Sequence, residues 1–192
     1  MSVIVTEFVT LDGVAEDPDG SGGTATGGWA FRHGPEAVAG DKFRLGSLLE
    51  TGTLLLGRTT WELFSKLWPG RTDEFSARLN AARKLVVSRT LTDVSAWQNS
   101  TLLPGDPIEV AERHDGDLIV IGSLGVAQAL GRRGLVDEYR LLVFPSLVGA
   151  GRRLFDGAAP ADLRLVSSTE VGAAVLSTFR TRGVMSRDVV PS

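Results

Sequence analysis

Leu56-Gly57-Arg58-Thr59-Thr60-Trp61-Glu62 joins an apolar run to a helical pattern. The preceding residues, Thr53–Leu56, read as a strand that stops at Gly57. A helix then begins with Thr59 as N-cap and Glu62 three positions on, the spacing of a capping box. A helix start offers free N–H groups and partial positive charge, and Arg58 adds a fork-shaped donor beside them. Together they suit a phosphate monoester. A plain capped helix with a surface arginine is the alternative.

Two further strand ends have the same character. Val86-Val87-Ser88-Arg89-Thr90 closes an apolar run with two hydroxyls around an arginine, and Ile119-Val120-Ile121-Gly122-Ser123-Leu124-Gly125-Val126-Ala127 runs from strand through a small-residue turn into a helix. In the second, Gly122 and Gly125 let a pyrophosphate approach the backbone at the helix start. Each signal is weak alone. Three parallel strands ending this way line up along the carboxyl edge, where open α/β sheets bind nucleotides. One monoester site and one pyrophosphate site point to an NADP-type rather than an NAD-type cofactor.

Working outward, strands are expected at Ser2–Val9, Leu85–Ser88, Leu118–Ile121 and Tyr139–Phe144, with helical patterns between the early ones, which argues for crossover connections and a largely parallel sheet. Asp106-Pro107-Ile108-Glu109 has the cap, Pro and Glu of a helix start. Pro35 opens a helix whose apolar stripe is Val38, Leu45, Leu48 and Leu49, with Asp41 on that stripe. The runs Leu163–Val171 and Ala174–Arg182, joined by Gly172-Ala173, read as an antiparallel hairpin. Between Glu16 and Gly34 lies a glycine-rich stretch too long for an ordinary connection. It is either a lid or a surface excursion, and Trp29 and Phe31 favour the lid. No repeat or composition boundary appears, so residues 1–192 are expected to form one α/β domain with helices on both faces of a mixed sheet.

Composition removes whole classes of function. The 192 residues contain no cysteine and two histidines, His33 and His114, which excludes disulfides, thiolate chemistry and multi-histidine metal sites. Twenty Lys+Arg against 23 Asp+Glu give a net charge of −3, without the basic stripe of a nucleic-acid protein. The opening residues read as a strand rather than a leader, and the longest apolar stretch, Leu118 to Leu130, is too short to span a bilayer. A cytoplasmic protein with no membrane partner is expected. At His114 a helix ends, so an imidazolium there would favour the dipole.

At this point the chain resembles the dihydrofolate reductase-like superfamily, above all its branch containing the reductase domain of riboflavin biosynthesis. Gly57-Arg58-Thr59-Thr60-Trp61-Glu62 is similar to the Gly-Arg-x-Thr-Trp-Glu segment of dihydrofolate reductases, and Val120–Val126 to their Val-Ile-Gly-Gly-Gly-x-Val loop. Thr10-Leu11-Asp12-Gly13, Leu135–Leu141, Pro145–Gly151 and Leu154-Phe155 are similar to the riboflavin branch, so the resemblance covers nearly the whole chain. It implies a dihydrofolate reductase-like fold with a mostly parallel sheet of about eight strands, and an NADPH-dependent reductase. Arg58, Thr59 and Thr60 would hold the 2′-phosphate region, with Gly57 at the turn and Ser88 and Arg89 on the other side. Gly122, Ser123, Leu124 and Gly125 would form the pyrophosphate loop. Asp41, 16 residues before Gly57, falls at the spacing of the catalytic acid, and Thr10, Asp12 and Trp29 would lie on the substrate side. The Pro-Trp pair of true dihydrofolate reductases is missing. The arginine that grips folate's glutamate is expected near Ala82, with Arg83 one position off.

The expected function is hydride transfer from NADPH to a pterin-, flavin-precursor- or aminopyrimidine-type ring, with Asp41 orienting or protonating it. Asp41 reads equally well as a helix-edge residue reaching solvent or an arginine. Two other functional classes stay open: a nucleotide-binding or regulatory module without turnover, and a protein that binds a flavin- or pterin-like ring without reducing it. Apolar Leu141–Val148 and the hairpin could pair across a two-fold axis to give a homodimer.

Overall fold

The computed structural model describes residues 1–182. Eight strands form one sheet: β1 (Val3–Thr10), β2 (Thr53–Gly57), β3 (Arg83–Val87), β4 (Ser100–Leu103), β5 (Leu118–Ile121), β6 (Glu138–Phe144), β7 (Leu163–Val171) and β8 (Ala174–Thr181). Their order is β4-β3-β2-β5-β1-β6-β8-β7. Pairing is parallel from β4 through to β6, and antiparallel at β6–β8 and β8–β7. This is the dihydrofolate reductase-like arrangement, with the expected hairpin at the edge.

Helices cover both faces, which is why β2 and β5 read as unbroken apolar runs instead of alternating. On one face, α1 (Gly34–Ala39), α2 (Leu48–Thr51), α3 (Arg58–Leu67) and α4 (Glu74–Ala81) cover a core of Leu54, Leu56, Ile119, Leu142, Trp61 and Leu79. On the other, α5 (Pro107–Arg113) and α6 (Leu124–Arg132) cover Val5, Leu55, Val120, Leu141, Ala111 and Leu130. The α5 cap forms as its sequence dictates: the Asp106 side chain accepts from the Ile108 N–H at 2.9 Å.

Two elements differ from expectation. Strand β4 carries little sequence signal, being one exposed and three half-exposed residues at the sheet edge beside β3. The helix begun at Pro35 does not continue. It ends at Ala39, and Gly40 takes the left-handed conformation (φ +55°), its N–H donating to the Glu36 carbonyl. Lys42, Phe43 and Arg44 follow at φ +44°, +54° and +50°. Left-handed backbone at non-glycine residues costs roughly 1–2 kcal/mol each, and Arg140 on β6 offsets it by donating through Nη1 to the carbonyls of Phe43 (3.0 Å) and Arg44 (2.7 Å). Leu45 and Leu49 still reach the core. The helical phase that aligned Asp41 with them does not exist, because Gly40 is a helix stop rather than a passenger.

Gly40 is therefore a specific structural requirement. A Cβ there would stand 2.6 Å from Leu142 Cδ2, on a backbone of positive φ, whereas one at Gly70 would meet nothing within 4 Å. Gly40→Ala is expected to lower the unfolding free energy in urea by about 1–3 kcal/mol, and Gly70→Ala to change it by less than about 0.5 kcal/mol. Equal effects of the two would contradict this reading of the turn.

Candidate functional site

The carboxyl ends of β3, β2 and β5, neighbours in the sheet, bring the three expected loops to one edge. The β2–α3 and β5–α6 loops are stitched together: the Gly57 N–H donates to Ser123 Oγ at 3.0 Å and Thr60 Oγ1 donates to the Gly122 carbonyl at 2.9 Å. Gly57, not Thr59, is the N-cap of α3, and no side chain caps that helix. The first-turn N–H groups at Arg58, Thr59 and Thr60 thus lack intrahelical acceptors, and Arg58 and Thr59 are exposed beside them.

In the β5–α6 turn, Gly122 (φ +58°) and Gly125 are exposed while Ser123 and Leu124 are buried. With the Ser123 hydroxyl accepting from Gly57 and the Leu124 side chain in the core, what this turn presents outward is mainly its main chain. Ser88 Oγ accepts from the N–H groups of Thr90 (3.1 Å) and Leu91 (3.0 Å), which fixes the turn that presents exposed Arg89.

A cavity of about 630 Å³ opens beside this edge, and Thr60 and Gly122 belong to its lining. Its walls are largely apolar, built from Phe8, Phe43, Leu45, Phe64, Trp68 and Ile121. It begins where β1 and β5 separate: their pairing ends at Thr6–Ile121, with one last bond from the Gly122 N–H to the Thr6 carbonyl at 3.2 Å. Glu7, the next residue of β1, lines the cavity and is 3 % exposed. Burial raises its carboxyl to about 8, so at neutral pH it is mostly the uncharged acid. Of the buried side-chain polar atoms among the described residues, two lack a hydrogen-bond partner, Glu7 Oε1 and Trp68 Nε1, and both residues line this cavity.

The three residues expected on the substrate side are not part of this cavity's lining. Trp29 is fully buried, its indole N–H donating to the Glu16 carbonyl at 2.9 Å and its ring edge-on to Phe144. It anchors the loop and does not line the cavity. Thr10 and Asp12 form a staple. Thr10 Oγ1 donates to Asp12 Oδ1 at 2.6 Å, and the Gly149 N–H donates to Oδ2 at 2.8 Å. The Thr10 hydroxyl first, then the Gly149 amide, hold that carboxyl below its ordinary range, and its work is to tie the 145–151 loop to the end of β1.

Part of the Glu16–Gly34 stretch forms one side of the cavity. Asp17 accepts from the amides of Gly22 and Thr24 and from the Thr24 hydroxyl, and Pro18, Asp19, Phe31 and Gly34 line the cavity. Arg83 sits at the amino end of β3, remote in the strand from the carboxyl edge. The cavity's guanidinium is instead Arg71, 4.9 Å over the Trp68 ring. His114 is at the C-cap of α5, where burial first and Arg83 second lower its pKa, against the imidazolium expected from the dipole. Asp41 belongs to the turn between Ala39 and Lys42, both of which line the cavity; its side chain lies outside the described residues.

Glu7, Trp68 and Arg71 escaped the sequence reading. Glu7 did leave a signal, an acid in the middle of the apolar run Val3–Val9, at a position a central strand would bury. Trp68 and Arg71 follow a helix end and a Pro-Gly pair, and nothing local marks them as cavity residues.

Among the described residues no helix is long and apolar enough to cross a membrane. Comparison with known proteins agrees with the fold. A solved structure from Shewanella sp. PV-4, described as a candidate riboflavin biosynthesis protein, superposes with a TM-score of 0.71 at 21% identity, covering 95% of this chain and 99% of that one. A pyrimidine reductase-like protein from Corynebacterium diphtheriae gives 0.64 at 11% identity, over 94% and 92%. A diaminohydroxyphosphoribosylaminopyrimidine deaminase/5-amino-6-(5-phosphoribosylamino)uracil reductase from Thermotoga maritima gives 0.56 at 16% identity, over 94% of this chain and 56% of that one. YyaP, an uncharacterized protein of Bacillus subtilis (strain 168), is 25% identical over 139 residues, 67% of this chain and 73% of that protein. The model of the RibD C-terminal domain matches residues 1–177, and the chain belongs to that family of reductase-like domains.

Proposed function

We propose that the protein is an NADPH-dependent reductase of a small heterocycle of pterin, flavin-precursor or aminopyrimidine type. The observation that carries this reading is the continuity of two unlike surfaces. An edge rich in open N–H groups and exposed guanidiniums runs, at Thr60 and Gly122, directly into a largely apolar cavity. A dinucleotide with an extra phosphate matches the first surface, and a planar ring the second. The reductases among the structural neighbours support the same class of reaction, and their names support a pyrimidine-type ring.

The donor set fits such a cofactor. Arg58 and the α3 start at Thr59 and Thr60 would hold the 2′-phosphate, with Ser88 and Arg89 across from them, and the exposed turn Gly122–Gly125 would hold the pyrophosphate. The Thr6 carbonyl faces β5; by the alternation of a strand, the main-chain groups of Phe8 face the same way, beyond the last residue of β5, where they suit a carboxamide. When bound, the cofactor supplies hydride, and the protein supplies orientation and a dry site. Phe43, Phe64 and Trp68 exclude water, and Asp41 orients or protonates the substrate.

Two variants separate these roles. Charge-assisted hydrogen bonds are worth roughly 1.5–3 kcal/mol, so Arg58→Ala should weaken NADPH by about 10- to 100-fold, read by calorimetric titration, and leave NADH nearly unchanged. Equal losses would remove Arg58 from the 2′-phosphate. Asp41→Asn should keep NADPH affinity and reduce turnover of a dihydropteridine or aminouracil riboside by ~10²–10⁴-fold, the usual contribution of a positioned acid. Turnover at the wild-type rate would make Asp41 structural.

A further inference from the structure

The β5–α6 turn offers main-chain donors to a phosphate but little charge. From Gly122 to Gln128 the sequence has no basic residue, and the first on α6 is Arg132 in its last turn. The N–H groups of Leu124 and Gly125 lack intrahelical acceptors, yet a helix start contributes only about half a positive charge. Both phosphates of a pyrophosphate are negative. A compensating cation reaches the turn from another segment of the chain.

That cation is Arg152, in the loop that follows β6. A Cβ on Gly125 would lie 4.0 Å from Arg152 Nη2. The residue is exposed but held at three points. Its N–H donates to Glu16 Oε2 at 3.2 Å, its carbonyl accepts from the Ala15 N–H at 3.0 Å, and Nη2 donates to Gln128 Oε1 at 2.8 Å. Gln128 lies three residues beyond Gly125 on α6 and is 5 % exposed. Its Nε2 donates to the Arg153 carbonyl at 2.8 Å. A buried amide is costly unless bonded, and both ends of this one are committed to residues 152 and 153.

The partner of the guanidinium is a neutral amide, which leaves its charge available. Arg140 and Arg180 share the Glu138 carboxylate, whereas no carboxylate pairs with the Arg152 side chain among the described residues. Of the acids in the adjoining segments, Glu16 accepts from the Arg152 main chain, and Asp12 accepts from Thr10 and Gly149.

We infer that Arg152 binds the pyrophosphate half of the cofactor across the start of α6, with Gln128 as the positioning residue that holds it there. This rests on the reductase reading and deepens it by separating two tasks. Arg58 at the start of α3 serves the 2′-phosphate that distinguishes NADPH from NADH. Arg152 at the start of α6 serves the group that the two cofactors share.

Calorimetric titration of NADPH, NADH, ADP and adenosine 2′-phosphate into the full chain and its variants is the test. Arg152→Gln should weaken NADPH, NADH and ADP alike by about tenfold, the scale of one exposed charge-assisted hydrogen bond. Adenosine 2′-phosphate, which has no pyrophosphate, should bind unchanged. Arg58→Ala should give the opposite pattern, losing NADPH and adenosine 2′-phosphate while keeping NADH and ADP. Arg152→Lys should recover part of the loss, because the charge is kept. Arg153→Gln removes the same charge one residue along, from a side chain that bonds the Asp12 carbonyl, and should bind all four as the wild type does. Gln128→Leu should weaken NADH by a smaller factor and add nothing to Arg152→Gln, a non-additivity that a merely structural glutamine would not show. An unchanged melting temperature of Arg152→Gln shows that this surface variant folds. Wild-type affinity of Arg152→Gln for NADH and ADP, or an equal loss in Arg153→Gln, overturns the assignment. ADP separates the two levels. Arg152-dependent ADP binding by a protein that takes neither dinucleotide upholds the phosphate role and counts against the reductase reading, whereas dinucleotide binding that Arg152→Gln leaves intact overturns the role of Arg152 alone.

Discussion

Strands β1 and β5 cease to pair after Thr6 and Ile121, and most of the site is a consequence of that separation. Before it, four parallel rungs close the middle of the sheet. After it, β1 continues to Thr10 against β6 alone, so one edge of the strand faces open space instead of a neighbour. The cavity and the exposed turn at Gly122 meet at that fork. Ligand sites in open α/β sheets form where neighbouring strands part at their carboxyl ends, and here the parting also carries a change of chemistry, from main-chain donors outside to aromatic walls within.

The fork needs a rigid rim. The Gly57 N–H to Ser123 Oγ bond and the Thr60 Oγ1 to Gly122 carbonyl bond connect turns more than 60 residues apart in sequence, so the starts of α3 and α6 are held together. On the far wall, Arg140 props the left-handed turn at Phe43 and Arg44, and its guanidinium is itself held by buried Glu138. Burial pushes the Glu138 carboxyl up, but Arg180 and Arg140 hold it below its ordinary value. The same β6 strand therefore supports the core and the cavity wall, which is how backbone strain persists beside a binding surface.

The sheet and the loops at its carboxyl edge were legible because both depend on local patterns: apolar runs of strand length, and glycines, hydroxyls and arginines that fall at strand ends. The substrate side was not. Thr10, Asp12 and Trp29 look chemical in sequence but serve as a staple and an anchor, since what they touch, the 145–151 loop and Phe144, is more than 110 residues away. The pattern around Asp41 suggested a helix because Val38, Leu45, Leu48 and Leu49 keep helical spacing. Spacing cannot register that Leu142 presses against Gly40 and that Arg140 stabilises a reversed turn. Glu7 was visible as an anomaly in an apolar strand, and the register that sets it opposite Leu141 shows which face of the sheet buries it.

Hydrogen exchange with and without saturating NADPH tests most directly whether the rim and the cavity form one nucleotide-fed site. Amide exchange should slow at the start of α3 from Arg58 to Thr60, at the Gly122–Gly125 turn and around Ser88–Leu91, with NADH protecting the Gly122–Gly125 turn but not the α3 start. Unchanged exchange at all three segments under saturation, or protection confined to another face of the sheet, would contradict it.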